Sequence, residues 1–124
     1  MIENISESSV IAQLMCGYIA RIRPPENIRD KLDIAYKIVG QSVYIFELRP
    51  HYDFSSDEFR IDTSRGKMEI PVAKTTYVKA HNHWKIFWHR SDDKWHSYGE
   101  KPIVKSLKGF LKVIDEDKYG CFWG

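Results

Sequence analysis

Trp84-Lys-Ile-Phe-Trp88-His-Arg90-Ser-Asp-Asp-Lys-Trp95-His96-Ser-Tyr98 is the stretch that decides the fold. It holds three of the chain's four tryptophans, with two histidines and an arginine. Trp84, Ile86, Trp88 and Arg90 alternate with Lys85, Phe87 and His89. Period two, with β-branched and aromatic residues, marks a half-buried strand. Ser91-Asp92-Asp93-Lys94 is turn chemistry, because Ser and Asp side chains bond to nearby backbone amides. Residues 95–98 then return antiparallel. A two-residue loop at 92–93 and a four-residue loop at 91–94 give the same register. Trp88 then faces Ser97, Arg90 faces Trp95, His89 faces His96 and Phe87 faces Tyr98. One face would carry Trp84, Ile86, Trp88 and Trp95, with Arg90 at its end.

A large aromatic buries about 150–250 Å², so such a face is either core or platform. As core, it would keep Arg90 stacked on Trp95 in a structural cation–π contact. As a partly open platform, it would suit bases, sugars or a peptide. The opposite face, with His89 across from His96, falls short of the four ligands that a structural metal site takes.

Toward the N-terminus, Val10, Ile11, Leu14, Met15, Tyr18, Ile19 and Ile22 recur at spacings of three and four, which predicts a helix over 6–22. Ser6 or Ser9 caps it, and Pro24-Pro25 stops it. Leu32–Val39 and Ser42–Arg49 form a hairpin around Gly40-Gln41 with two registers open. A two-residue type II′ turn sets Ile34 opposite Glu47 and puts Asp33 and Glu47 on opposite faces. Glu47 then needs a cation, with Arg49 or Arg90 the candidates. A three-residue turn at 39–41 gathers more apolar residues on one face but sets Asp33 against Glu47, two like charges. Residues 51–67 carry seven charged side chains and read as a long exposed loop, pinned in part by Phe54, Phe59 and Ile61.

Toward the C-terminus, residues 74–80 are a strand, and His81-Asn82-His83 turns it into the central hairpin. After Pro102, Ser106 caps a helix whose stripe is Leu107, Phe110, Leu111 and Ile114. Lys118 suits its C-terminal end and Gly120 supplies the left-handed C′ position. The apolar tail Cys121-Phe-Trp-Gly124 is expected to tuck against the sheet. The class is α+β, one domain over 1–124: a helix, about five mostly antiparallel strands in hairpins, and a helix packed on the sheet.

The 124 residues suffice for a real core. Hydrophobic and charged fractions of 43% and 29% are those of a globular protein, and a net charge of +2 is too small to argue for nucleic acid by bulk charge. Only a local patch would serve. No apolar run reaches the length of a membrane span, and the first residues are not a secretory signal. Cys16 and Cys121 are then expected as reduced thiols in the cytoplasm.

Arg23-Pro-Pro-Glu-Asn-Ile-Arg29, Glu47-Leu-Arg-Pro50, Ala73-Lys-Thr-Thr-Tyr-Val-Lys79, residues 84–98 and the ending Gly120-Cys-Phe-Trp-Gly124 together resemble a bacterial family catalogued as a domain of unknown function, number 3024. The likeness spans nearly the whole chain. It implies a small bacterial cytosolic domain and carries over no activity, cofactor or catalytic residue.

There is no phosphate loop, CxxC pair, HExxH or nucleophile elbow, so no catalytic residue, metal set or cofactor is assigned. The first functional reading is a non-catalytic module for nucleic acid, with Arg49, Lys74, Trp88, Arg90, Trp95 and His96 as the binding residues and Glu47 as a buried charge partner. The second is a protein-interaction or accessory subunit. The third, ranked last, is a metal-dependent nuclease-like hydrolase using Asp33, Glu47 and Lys74.

Overall fold

The computed structural model describes residues 5, 8–53 and 60–124. Helix α1 (Ser9–Ile22) begins later than the periodicity suggests, because the cap is Ser8, whose hydroxyl accepts the Ile11 amide at 3.3 Å. Ser6 lies outside the described residues. Pro24-Pro25 ends the helix, and a 3-10 turn (Glu26–Ile28) leads to the sheet.

The sheet has six strands: β1 (Asp33–Val39), β2 (Ser42–Asp53), β3 (Arg60–Val78), β4 (His83–His89), β5 (Trp95–Ser97) and β6 (Ile103–Val104). The order is β1-β2-β3-β4-β5, antiparallel throughout, and β6 shares the outer edge of β4 with β5. Helix α2 (Leu107–Glu116) follows. The class is therefore α+β, with a helix at each end of a large antiparallel sheet.

The β1–β2 turn takes the two-residue form. Gly40 has φ +60°, a conformation that costs glycine nothing, and the register sets Ile34 against Glu47 and Asp33 against Leu48. Asp33 and Glu47 therefore point to opposite faces.

Of the stretch 51–67, expected as a loop, the described residues 51–53 and 60–67 are strand. His51, Tyr52 and Asp53 pair with Asp62, Ile61 and Arg60. The ladder jumps from Pro50–Lys67 to His51–Asp62, so residues 63–66 bulge out of β3, with Gly66 at φ +69°. Seven charged residues read as loop because charge density says nothing about backbone pairing along a solvated hairpin. Phe54 and Phe59, expected as pins, lie outside the described residues.

The second correction is to the central hairpin. The loop is three residues, Ser91–Asp93, closed by Arg90 N–H to the Lys94 carbonyl (3.1 Å) and Asp93 N–H to the Arg90 carbonyl (2.9 Å). Asp93 sits at φ 63°, the left-handed position that closes such a loop and that Asp tolerates. Phe87 consequently pairs with Ser97, Trp88 with His96, and His89 with Trp95. This is one residue away from the expected register. Because side chains alternate, one residue moves Trp95 to the opposite face.

Both helices pack on one face. Ile11, Met15, Tyr18 and Ile19 of α1 and Leu107, Phe110, Leu111 and Ile114 of α2 share a core with Val43, Ile45, Ala73, Trp84 and Ile86. Tyr18 Oη and Arg21 both donate to Asp115 at 2.7 Å, which ties the helices together. Burial first, then Asp115, pushes the Tyr18 phenol well above its ordinary pKa.

Ser106 caps α2 as expected, accepting the Gly109 amide at 3.0 Å. The left-handed residue that ends the helix is Asp117 (φ 37°), while Gly120 closes the following turn. The Asp117 carboxylate then accepts the amides of Phe122 (3.0 Å) and Trp123 (2.7 Å). The tail is thereby folded back, with Phe122 against Tyr98 in the core.

Candidate functional site

On β2, alternation points Val43 and Ile45 into the core and Tyr44 and Phe46 to the other side. The same logic on β3 and β4 turns Lys74, Phe87 and His89 outward. Register then aligns one residue from each strand in a line across the sheet. Lys37 pairs with Tyr44, Tyr44 with Lys74, Lys74 with Phe87, and Phe87 with Ser97. The line alternates ammonium and ring. Lys37 Nζ lies 5.7 Å from the Tyr44 centroid and 5.4 Å from that of Phe46. Lys74 Nζ lies 5.4 Å from Tyr44 and 5.1 Å from Phe87. These are cation–π distances, with the lysine stems lying over apolar surface.

Trp95 joins this face through the one-residue shift. Its ring meets Tyr44 edge-on at 5.9 Å and His89 at 5.1 Å. None of Tyr44, Phe46, Lys74, Phe87 or Trp95 belongs to the core beneath the helices. Among the described residues this face of the sheet carries no helix. A pocket of about 330 Å³ opens on it, lined by Lys37, Tyr44, Phe46, Glu69, Pro71 and Trp95. Glu69 is its only carboxylate and holds Lys37 at 3.0 Å.

The residues singled out from the sequence are divided between the two faces. Lys74 and Trp95 stand on the helix-free face. Trp88 is half-buried against the core, with the Arg90 guanidinium 5.1 Å from its ring centroid, so Arg90 stacks on Trp88 and not on Trp95. His96 pairs across from Trp88, and its Nε2 meets Asp92 Oδ2 at 2.7 Å. That contact, first among several, draws the Asp92 carboxyl below its usual pKa. Glu47 has its cation in Arg49, at 3.0 Å, two residues along the same side. Tyr44, Phe46, Phe87, Lys37 and His89 share the face of Lys74 and Trp95 but are not among the residues singled out from the sequence. The signal was present in the alternation of β2, but it becomes a site only when the register of four strands is known.

The carboxylates proposed for a metal are not assembled. Asp33 is gripped by Arg23 through two bonds of 2.9 and 2.7 Å and accepts the Ile34 amide. The Arg23 hydrogen bond holds its carboxyl below the ordinary range, although burial works against this. Among the described residues no three His, Cys, Asp or Glu side chains converge as a metal site. Burial, then Asp117 and Glu100, raises the Cys121 thiol, which keeps it protonated and a poor nucleophile.

A pleated sheet with one face covered by helices, and an aromatic, lysine-laced face that carries none among the described residues, makes this a small α+β domain. The chain matches the family described as Domain of unknown function (DUF3024) over residues 3–124, and it belongs to that family. No curated protein and no solved structure matches it. Among the described residues, no helix is long and apolar enough to cross a membrane.

Proposed function

We propose that the protein is a non-catalytic binding module that holds single-stranded nucleic acid on the helix-free face of its sheet. One observation carries this reading: the alternation of Lys37, Tyr44, Lys74 and Phe87 across four adjacent strands, with Trp95 beside it. Open sheet faces with aromatics on central strands bind single strands by stacking bases, while cations between the rings meet phosphates. Spacing supports it too, since strands lie about 4.8 Å apart, and so rings on alternate strands leave room for a base between them. The lysine stems that now cover the rings are flexible and can swing to phosphates as bases take their place. The proposal includes a cytoplasmic location, where the thiols of Cys16 and Cys121 would stay reduced.

The test is fluorescence anisotropy with labelled single-stranded RNA and DNA at rising salt. Affinity should fall steeply as salt rises. Salt-insensitive binding, or none, would overturn the reading.

A second reading, docking of a partner protein, draws on a different surface. A groove of about 710 Å³ between α2 and β6 exposes Ile103 and Tyr119, 43% and 55% accessible. Partner capture that survives mutation of Tyr44 and Trp95 would favour it.

A further inference from the structure

The pocket beside Tyr44 contains one residue that a surface built only for phosphates would not hold. Glu69 stands on the outward side of β3, paired across from Leu48, at the rim of the 330 Å³ pocket. Its neighbours there are Lys37, Tyr44, Phe46, Pro71 and Trp95. A carboxylate at this point repels a nucleic-acid backbone and cancels part of the attraction of Lys37. It is about half-exposed, as is Lys37, so burial does not force the two together.

At neutral pH a carboxylate is an acceptor only, with two oxygens and about four lone-pair sites, whereas an ammonium is a donor only. The Lys37–Glu69 pair therefore presents a donor next to a pair of acceptors at the edge of an aromatic-lined pocket. Among the described residues the carboxylate meets a single side chain, Lys37 at Oε1, so lone pairs remain for a ligand. Among the nucleobases, guanine has the matching edge: O6 accepts, and N1–H and N2–H donate side by side. Adenine and cytosine offer one exocyclic donor beside a ring acceptor. Thymine and uracil offer a single ring N–H. Guanine alone can give both of its donors to one carboxylate and its O6 to the neighbouring ammonium.

We infer that this pocket reads a base, and that the Lys37–Glu69 pair selects guanine within a single strand. The inference rests on the nucleic-acid reading proposed above and deepens it by naming the recognised base. The ring would stack in the pocket against Tyr44 or Trp95, with its Watson–Crick edge toward Glu69. Hydrogen bonds to a charged group discriminate more sharply than neutral ones, because a wrong base leaves the carboxylate without its donors.

The experiment measures anisotropy of the full chain with an octathymidylate and with versions carrying one central guanine, hypoxanthine, adenine or cytosine. The guanine oligomer should bind about tenfold more tightly than octathymidylate. Hypoxanthine, which lacks the N2 amine, should lose most of that gain. In Glu69→Gln the gain should vanish while octathymidylate still binds. If all five oligomers bind the native protein equally, the base-selection inference is overturned and the nucleic-acid reading stands. Retention of the guanine preference in Glu69→Gln would also overturn the inference. Binding to none of them would overturn both.

Discussion

His89 stands directly across the β4–β5 ladder from Trp95, with ring centroids 5.1 Å apart at 76°. This pairing follows from the left-handed Asp93, which makes the loop three residues long. It sends Trp95 to the side of Tyr44 and Lys74 and leaves Trp88 with the core. The two tryptophans of one hairpin thus have different surroundings, and mutation separates their effects.

Trp95→Ala should weaken single-strand binding by about 5- to 150-fold, since stacking of a base on an aromatic contributes about 1–3 kcal/mol. The fold should survive, because Trp95 lies outside the core. Trp88→Ala should do the reverse, lowering stability by about 3 kcal/mol while affinity holds. Anisotropy and urea denaturation of the two variants check both halves.

Lys74 is expected to act as a phosphate contact once a strand is bound. Lys74→Ala should reduce the slope of log affinity against log salt by about 0.7–1. Substituting Arg90, which stacks on Trp88, should leave the slope nearly unchanged. A salt titration of each variant decides.

The Arg23–Asp33 pair anchors the start of β1 to the end of α1. Asp33→Ala should cost about 1–3 kcal/mol, the penalty for removing a charged acceptor from its donors. The pH dependence has a definite sign. Asp33 has a depressed folded pKa, so its stabilisation is present above the unfolded value of about 3.9 and is lost as pH falls through the folded value. Thermal melts of the native protein and Asp33→Asn should differ at pH 7 and converge only once the pH has fallen through the depressed folded value of Asp33.

Phe110 is fully buried at the centre of the core, and Ser106 caps its helix. Phe110→Ala should destabilise by about 3–5 kcal/mol. Ser106→Ala should cost about 1 kcal/mol. Chemical denaturation monitored by circular dichroism measures both.

Much of the fold was legible in the chain. Helix periodicity marks Ile11, Met15, Tyr18 and Ile19 as the inward stripe of α1, and Ser106 announces α2. Gly40 at the first turn position favours the two-residue hairpin, and that is the turn found. The site was less legible. Arg49, Lys74, Trp88, Arg90, Trp95 and His96 are chosen from the sequence for their chemistry, and the β4–β5 register places Trp95 on the opposite face from Trp88. Ser91-Asp92-Asp93-Lys94 is compatible with two, three or four loop residues. The choice depends on whether Asp93 accepts a positive φ, and local composition does not decide that.

By itself the sequence determined the two helices, the presence of the β1–β2 and β4–β5 hairpins, and that the class is α+β. Those properties depend on local periodicity and on a few special backbone positions, each readable within a window of a dozen residues. Only the tertiary structure decided that Lys37, Tyr44, Lys74 and Phe87 form one line and that Trp95 joins them. The physical reason is the side-chain period of two: every strand pairing must be known to the residue, because a slip of one exchanges the faces of the sheet.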